Sequence, residues 1–399
     1  MGVLTDPTLT APPGRAATNL FSWPGAGPNT LLSGGEGEPV DRSAPDAADR
    51  VADAVRAVVQ TLGAELPTGP LLPLWQTLAA LGHADLTVGR LAEGHIDALR
   101  ILHEAGCKPV PDAVYGVWAS ASGGTGLTAT ANAAGTATAN AAGTATANAA
   151  STTPADAAST TPADAAGTGW TVDGTMRFCS GAWFIDRALT VVSTDEGKVL
   201  VDIDVSSRHL TRLDDTWPSL GMDATRSVDI EVRGLPVPQD AAVGGPGFYL
   251  DRPGFTLGGA GVAAVWLGGA HGLLHALLRN QTREANPHQL AHLGAMAVAI
   301  SSADALLQSL TDPPLSSPDQ PLSLADMTAA RTAVELAVLE VLARAPRVTG
   351  PNGLCRNGEI AHRLADLEIY VRQHHGEADY EQIGAHLVAT GELLGRTFR

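Results

Sequence analysis

The sequence predicts a multidomain α and β protein, with N-terminal helices, a central β domain and a C-terminal four-helix bundle. Three observations lead there. Apolar residues recur at helical spacing from Ala47 to Gly106; between Trp170 and Pro238 short β-branched runs replace them; after Phe255 the helical spacing returns over four long stretches. With 399 residues and 44% hydrophobic content, the chain is long enough for a sizeable core and two or three domains.

Residues 1–46 are rich in Pro, Gly, Ser and Asp and read as an irregular N-terminal arm. Residues 47–112 read as an abbreviated helical domain: AADRVADAVRAVVQTLG, then Pro73 to Gly82, then LTVGRLAEGHIDALRILHEAG with Gly106 as a C-cap. Residues 113–250 read as the β domain, through WTVDGTMRF, RALTVVST, KVLVDIDV and SVDIEVRGLPVP. Within it, between Gly126 and Gly167, an eight-residue unit recurs, first as GTATANAA and then as STTPADAA, with Leu127 added in the first copy. The unit lacks a large apolar side chain to bury between repeats, so 126–167 reads as a low-complexity surface insertion. Residues 251–399 read as the bundle, its helices joined by Gly-, Pro- and Asn-bearing connections.

A formal net charge of −17 opposes phosphate backbones and anionic lipid surfaces, which argues against nucleic-acid and membrane-surface roles. Cys107, Cys179 and Cys355 are too few and too scattered for a disulfide framework or a cysteine-rich zinc site. The N-terminus lacks a basic region followed by an apolar run, and no stretch approaches 18 uninterrupted apolar residues, so no membrane span and a cytoplasmic location are expected.

Three segments carry a more specific resemblance. VYGVWASASGG, from Val114 to Gly124, resembles the flavin-contacting strand of the acyl-CoA dehydrogenase family. GWTVDGTMRFCSGA, from Gly169 to Ala182, resembles the family's strand ending in a Trp-x-Thr-Asn-Gly motif, with Phe178 in place of the Trp. LGMDATRSVDIEVRGLPVPQDAAV, from Leu220 to Val243, is similar to the Gly-Met-Arg segment and the strand that closes the family's β-barrel domain. The resemblance covers roughly residues 48 to 395. It implies FAD, a homodimer or homotetramer, an acyl-CoA or similar thioester substrate, and reoxidation by an electron-transfer flavoprotein.

It also implies a flavin site at Tyr115, Val117, Trp118, Phe178, Ser180 and Gly181. A flat ring with a polar edge suits a β surface of backbone donors, a hydroxyl and an aromatic wall: Ser180 to donate, Phe178 as wall, Gly181 for close backbone approach. Trp118 and Ala119 replace the family's Thr-Glu pair. Arg283, with Arg279 second, resembles the arginine that reaches a flavin diphosphate, for which a planar fork is suited. TGPNGL, from Thr349 to Leu354, resembles part of a glycine turn facing the diphosphate.

The segment IAHRLADLEIYVRQHH, from Ile360 to His375, resembles the family's C-terminal helix, with Arg363 and Asp366 near its Arg-Asp pair, and runs into YVRQHHGEAD, from Tyr370 to Asp379. The family's catalytic glutamate position falls on His374. A neutral imidazole there could remove the α-proton of a thioester, or the two histidines could simply end a helix. Adjacent helical residues point about 100° apart, so His374 and His375 do not chelate one metal on a continuing helix. His95 and His103, eight residues apart, read as buried or capping groups. The resulting expectation is α,β-dehydrogenation of an acyl thioester with His374 as base. Two alternatives stay open: a reductase-dependent flavin monooxygenase of the same fold, and a scaffold without catalysis.

Overall fold

The structure, a computed structural model, describes residues 46–62, 66–120, 126–132, 169–281, 284–311 and 323–398. Most of the N-terminal arm, most of the repeat and Arg283 lie outside the described residues.

Three helices come first: α1 (Ala47–Thr61), α2 (Leu71–Ala84) and α3 (Leu86–Glu104). Only one residue separates α2 from α3, and Asp85 there does a specific job. Its carboxylate accepts from the N–H groups of Thr87 and Val88 at 2.8 and 3.0 Å, which caps α3 and sets its direction.

The β module follows as β1 (Tyr115–Trp118), β2 (Gly126–Ala131), β3 (Gly169–Cys179), β4 (Arg187–Thr194), β5 (Gly197–Asp204), β6 (Leu210–Leu213), β7 (Val228–Pro238) and β8 (Ala242–Val243). The strand order is β6-β7-β3-β2-β4-β5-β8, and β1 lies parallel to β4 in line with β2. The repeat therefore does not begin as an insertion at Gly126. Residues 126–131 of its first copy form a paired strand, because Leu127 and Ala129 alternate inward while Thr128 and Thr130 face out.

A short helix α4 (Phe248–Asp251) leads into α5 (Gly254–Arg279), α6 (Pro287–Ser309), α7 (Leu324–Arg356), α8 (Gly358–Tyr370) and α9 (Glu377–Thr390). Capping boxes at Asn286/Gln289 and Ser323/Asp326 start α6 and α7. α5 is apolar on every side and packs against α2, α3, α7 and α8. Leu74, Trp75 and Leu78 of α2 share the core of Trp266 and Val334, while Val51 and Val55 of α1 join the β core.

Two of the described helical stretches, Gly258–Arg279 and Pro287–Ser309, have the length and composition to cross a membrane. The first is mostly buried among its neighbours, as a core helix is. The second is mostly exposed, with Leu290 and Val298 on its outer side.

Two of the resemblance segments meet at the junction of the β module and α8. The Asp366 carboxylate accepts from the Met222 N–H at 2.6 Å, and Arg363 donates to the carbonyls of His83 and Ala84 at 2.8 and 3.0 Å, capping the end of α2. TGPNGL breaks α7: Gly350 takes φ 61° there, and the span Leu324–Arg356 is two helices meeting at that kink. The terminal helix is shorter than expected. α8 ends at Tyr370, a single 3-10 turn covers Val371–Gln373, and His374 is extended ahead of Gly376 at φ 56°.

Candidate functional site

A cavity of about 410 Å³ opens between α3, the segment from Tyr249 to Val262, the start of α7 and the residues from His375 to Gln382. Its wall is charged. Glu93 and Asp97 come from α3, Arg252 from the turn before α5, Arg331 from α7, and His375 and Asp379 from the last connection. On α3, Arg90, Glu93 and Asp97 share one face, and that face turns into the protein.

Each acid of α3 has a partner. Arg90 Nη1 lies 3.0 Å from Glu93 Oε2. Arg252, itself 4% exposed, reaches Asp97 at 3.1 Å and Glu104 at 3.2 Å. Burial pushes the Glu93 carboxyl up to about 7, against the opposing pull of Arg90. Asp97 is raised by burial as well, with Arg252 opposing. Behind them, Arg90 lies over the ring of Tyr370 at 6.0 Å, Tyr370 meets Trp266 edge-on, and Arg331 stacks on Trp266 at 4.7 Å.

His374 does not line this cavity; its neighbour His375 does. Both ring nitrogens of His374 are engaged. The Gly376 N–H can only donate, so Nδ1, at 3.0 Å, accepts and the ring proton of the neutral form sits on Nε2. Nε2 faces Thr332 Oγ1 at 2.9 Å and Asp379 Oδ2 at 3.4 Å. Burial lowers its pKa, with Asp379 opposing. No lone pair remains for a substrate proton.

The positions implied for a flavin fall into two groups. Tyr115 is buried, and its hydroxyl donates to Asp202 at 3.0 Å and accepts from the Val110 N–H at 2.9 Å. Phe178 sits at φ 59°, half exposed, with only the edge of Trp217 against it. Tyr115, Val117, Trp118 and Ser180 do share a wall, opposite Arg90, Leu91 and Gly94 of α3.

In that wall the alternation that points the Val114 carbonyl at β4 and the Tyr115 N–H at His95 turns the Val117 backbone to an edge with no paired strand. Ser180 Oγ accepts from Ser227 and keeps its own proton to donate. Those donors and acceptors suit the polar edge of a flavin. The space in front of them is about 10 Å³, room for one water, so a ring bound there displaces the α3 side chains. A Cβ on Gly181 would meet Ile185 at 2.7 Å and Leu91 at 3.2 Å, so the glycine lets Ile185 and α3 pack closely against this turn. Trp118 Nε1 is occupied by the Ser180 carbonyl at 3.0 Å. Arg279 is occupied by Glu359 at 2.6 Å, and Arg283 lies outside the described residues.

On the far side of Trp118 a second cavity, about 280 Å³, is lined by Met176, Thr190, Lys198 and Tyr249. Tyr249 belongs to both large cavities and separates them.

Among solved structures, TdsC from Paenibacillus sp. A11-2, a dibenzothiophene monooxygenase solved with FMN and indole, superposes with a TM-score of 0.65 at 15% identity, covering 93% of this chain and 96% of its own. Butyryl-CoA dehydrogenase from Megasphaera elsdenii gives 0.65 at 15% identity, covering 86% and 90%. The chain has the acyl-CoA dehydrogenase fold. Methanesulfinate monooxygenase MsuC from Pseudomonas fluorescens shares it, with a TM-score of 0.63 at 15% identity over 89% and 93%. No family model and no curated protein matches the sequence.

Within that fold, Glu93 and Arg331 are the functional candidates that sequence reasoning passed over. A signal existed. Arg90, Glu93 and Asp97 interrupt a helix that is otherwise apolar on its inner face, and a buried acid is rare unless paired or used. His95, between Glu93 and Asp97 in the chain, is buried, and its Nδ1 accepts from the Tyr115 N–H at 3.1 Å.

Proposed function

We propose that the chain is an FAD-dependent oxidoreductase that dehydrogenates the α,β bond of an acyl thioester, with Glu93 taking the α-proton in place of His374. One observation carries this reading: a buried carboxyl in the wall of the large cavity, with a pKa raised to about 7. A general base works best when its pKa lies near the working pH, since it is then both deprotonated and basic enough to accept. Arg90 orients the Glu93 carboxylate through Oε2, and burial excludes the water that would otherwise compete.

FAD, when bound, supplies the hydride acceptor for the β-carbon. The Val117 backbone and the Ser180 hydroxyl would hold its polar edge. Tyr249 orients the thioester where the two cavities meet, the acyl part lying toward Glu93 and the carrier toward Lys198. His374 is a positioning residue in this reading: through Thr332 and Asp379 it anchors the connection that forms one side of the cavity. A homodimer or homotetramer, an electron-transfer flavoprotein as oxidant and a cytoplasmic location belong to the same proposal.

Mixing the FAD-reconstituted protein anaerobically with acyl-CoAs and following the flavin band at about 450 nm tests the reading. Bleaching by a thioester is the expected result; bound FAD that no thioester bleaches overturns it. One feature favours a second reading, a reductase-dependent flavin monooxygenase. A dibenzothiophene monooxygenase superposes on this chain as well as butyryl-CoA dehydrogenase does, and oxygen uptake only with an added flavin reductase would select this reading.

A further inference from the structure

Every acid in the wall of the large cavity has a basic partner. Asp97 has Arg252, Glu93 has Arg90, and Asp379 has His374 and His375 at 3.4 and 3.5 Å. Arg331 is different. It donates to two carbonyls, of Gly259 at 3.2 Å and of Gln373, and stacks on Trp266, yet among the described residues no carboxylate lies within 4.0 Å of it. Its Nε is buried without a partner. Carbonyl oxygens satisfy N–H groups without neutralising the charge, and Asp379 and Glu93 act on this half-buried guanidinium only from beyond ion-pair distance.

The rest of the wall argues against a plain alkyl chain. Lodging one there would strip water from Glu93, Asp97, Arg331, Asp379 and Gln382 and return nothing to them. Phe255, Val262 and Met327 supply apolar surface for a few methylenes only. Arg252 already serves two carboxylates, so a further anion is not drawn to it.

We propose that the cavity binds an acyl group ending in a carboxylate, with the Arg331 guanidinium as its receptor. This rests on the thioester reading above and names its substrate class. A guanidinium offers five N–H donors in a planar fork, and the two given to carbonyls leave one on each Nη for the two oxygens of a carboxylate.

Glutarate, with its uncharged diamide as the comparison, serves as the probe in thermal unfolding of the protein without added flavin. Glutarate is expected to raise the unfolding midpoint and the diamide is not; Arg331→Met should abolish the response. Arg331→Lys, which keeps the charge and loses the fork, should weaken the apparent affinity about tenfold. The proposal is overturned if neither probe shifts the midpoint, if both shift it equally, or if the glutarate response survives in both variants. Flavin bleaching is scored separately. A glutarate response that depends on Arg331 without bleaching by any thioester would sink the dehydrogenase reading and leave the anion site standing. Bleaching by plain acyl-CoAs at least as efficient as by ω-carboxyacyl-CoAs of equal length would do the reverse.

Discussion

Thr332 Oγ1 lies 2.9 Å from His374 Nε2, while the Gly376 N–H occupies Nδ1 of the same ring at 3.0 Å. The histidine expected from the family resemblance as the base is thereby engaged in holding its own connection. The group that can change its protonation in the cavity lies on α3, far away in the chain.

Glu93→Gln should lower turnover of a thioester by roughly 10²–10⁴-fold, the range for loss of a general base, with flavin binding intact. The sign follows from the role. A base acts when deprotonated, so the wild-type rate should climb as pH rises through about 7 and level off above it. Stopped-flow flavin reduction as a function of pH checks both; a rate-limiting ionisation that persists in Glu93→Gln assigns it elsewhere.

His374→Gln keeps a side chain that can bond Thr332, and should leave the reduction rate within about tenfold of wild type, well short of the loss of a base. His374→Ala should lower the unfolding midpoint more than the rate. Loss of the chemical step in His374→Gln, with normal stability, would restore the histidine as base.

Arg252→Ala removes a buried cation, 4% exposed, that faces both Asp97 and Glu104. Leaving two acids without their partner should cost about 3–5 kcal/mol. Urea unfolding monitored by tryptophan fluorescence measures it, and a change under about 1 kcal/mol would show the cluster to be open to water.

His83, His271 and His275 form a cluster between α2 and α5, with His83 Nε2 and His275 Nδ1 3.2 Å apart. Burial, helped by mutual repulsion, pushes His83 down to about 3 and His271 to about 4, and lowers His275. The folded values lie below the unfolded one, so the folded state prefers the uncharged rings. This contribution to stability is complete above pH 6.5 and is lost as pH falls from there toward about 3–4, by at most about 1.4 kcal/mol per pH unit per group. Denaturant midpoints at pH 7 and pH 5 should differ accordingly, and His83→Gln should reduce the difference.

The outer side of α6 exposes Leu290 and Val298, at 56% and 67%. An apolar, mostly uncovered helix of this length is expected to be covered by a second copy of the chain. Val298→Asp should shift the mass measured by light scattering toward the monomer. An unchanged mass would place any self-association elsewhere.

How much of this could be read from residues alone depends on whether the signal is local. Alternation in RALTVVST and KVLVDIDV, helical spacing in the C-terminal stretches, and caps such as Asp85, Asn286 and Ser323 depend on neighbours a few positions away, so the sequence by itself determined the order of helices, strands and helices. The repeat was misjudged at its start because Leu127 and Ala129 offer only two inward residues, and pairing with β3 and β4 is what makes them a strand. The site was the least legible part. Glu93, Arg252 and Arg331 lie on different elements, and only packing brings them to one cavity, buries Glu93 enough to raise its pKa and leaves Arg331 without a carboxylate at ion-pair distance. A side chain's charge is written in the sequence; the solvent it loses and the partner it meets are decided by the tertiary structure, because both depend on what the rest of the chain places beside it.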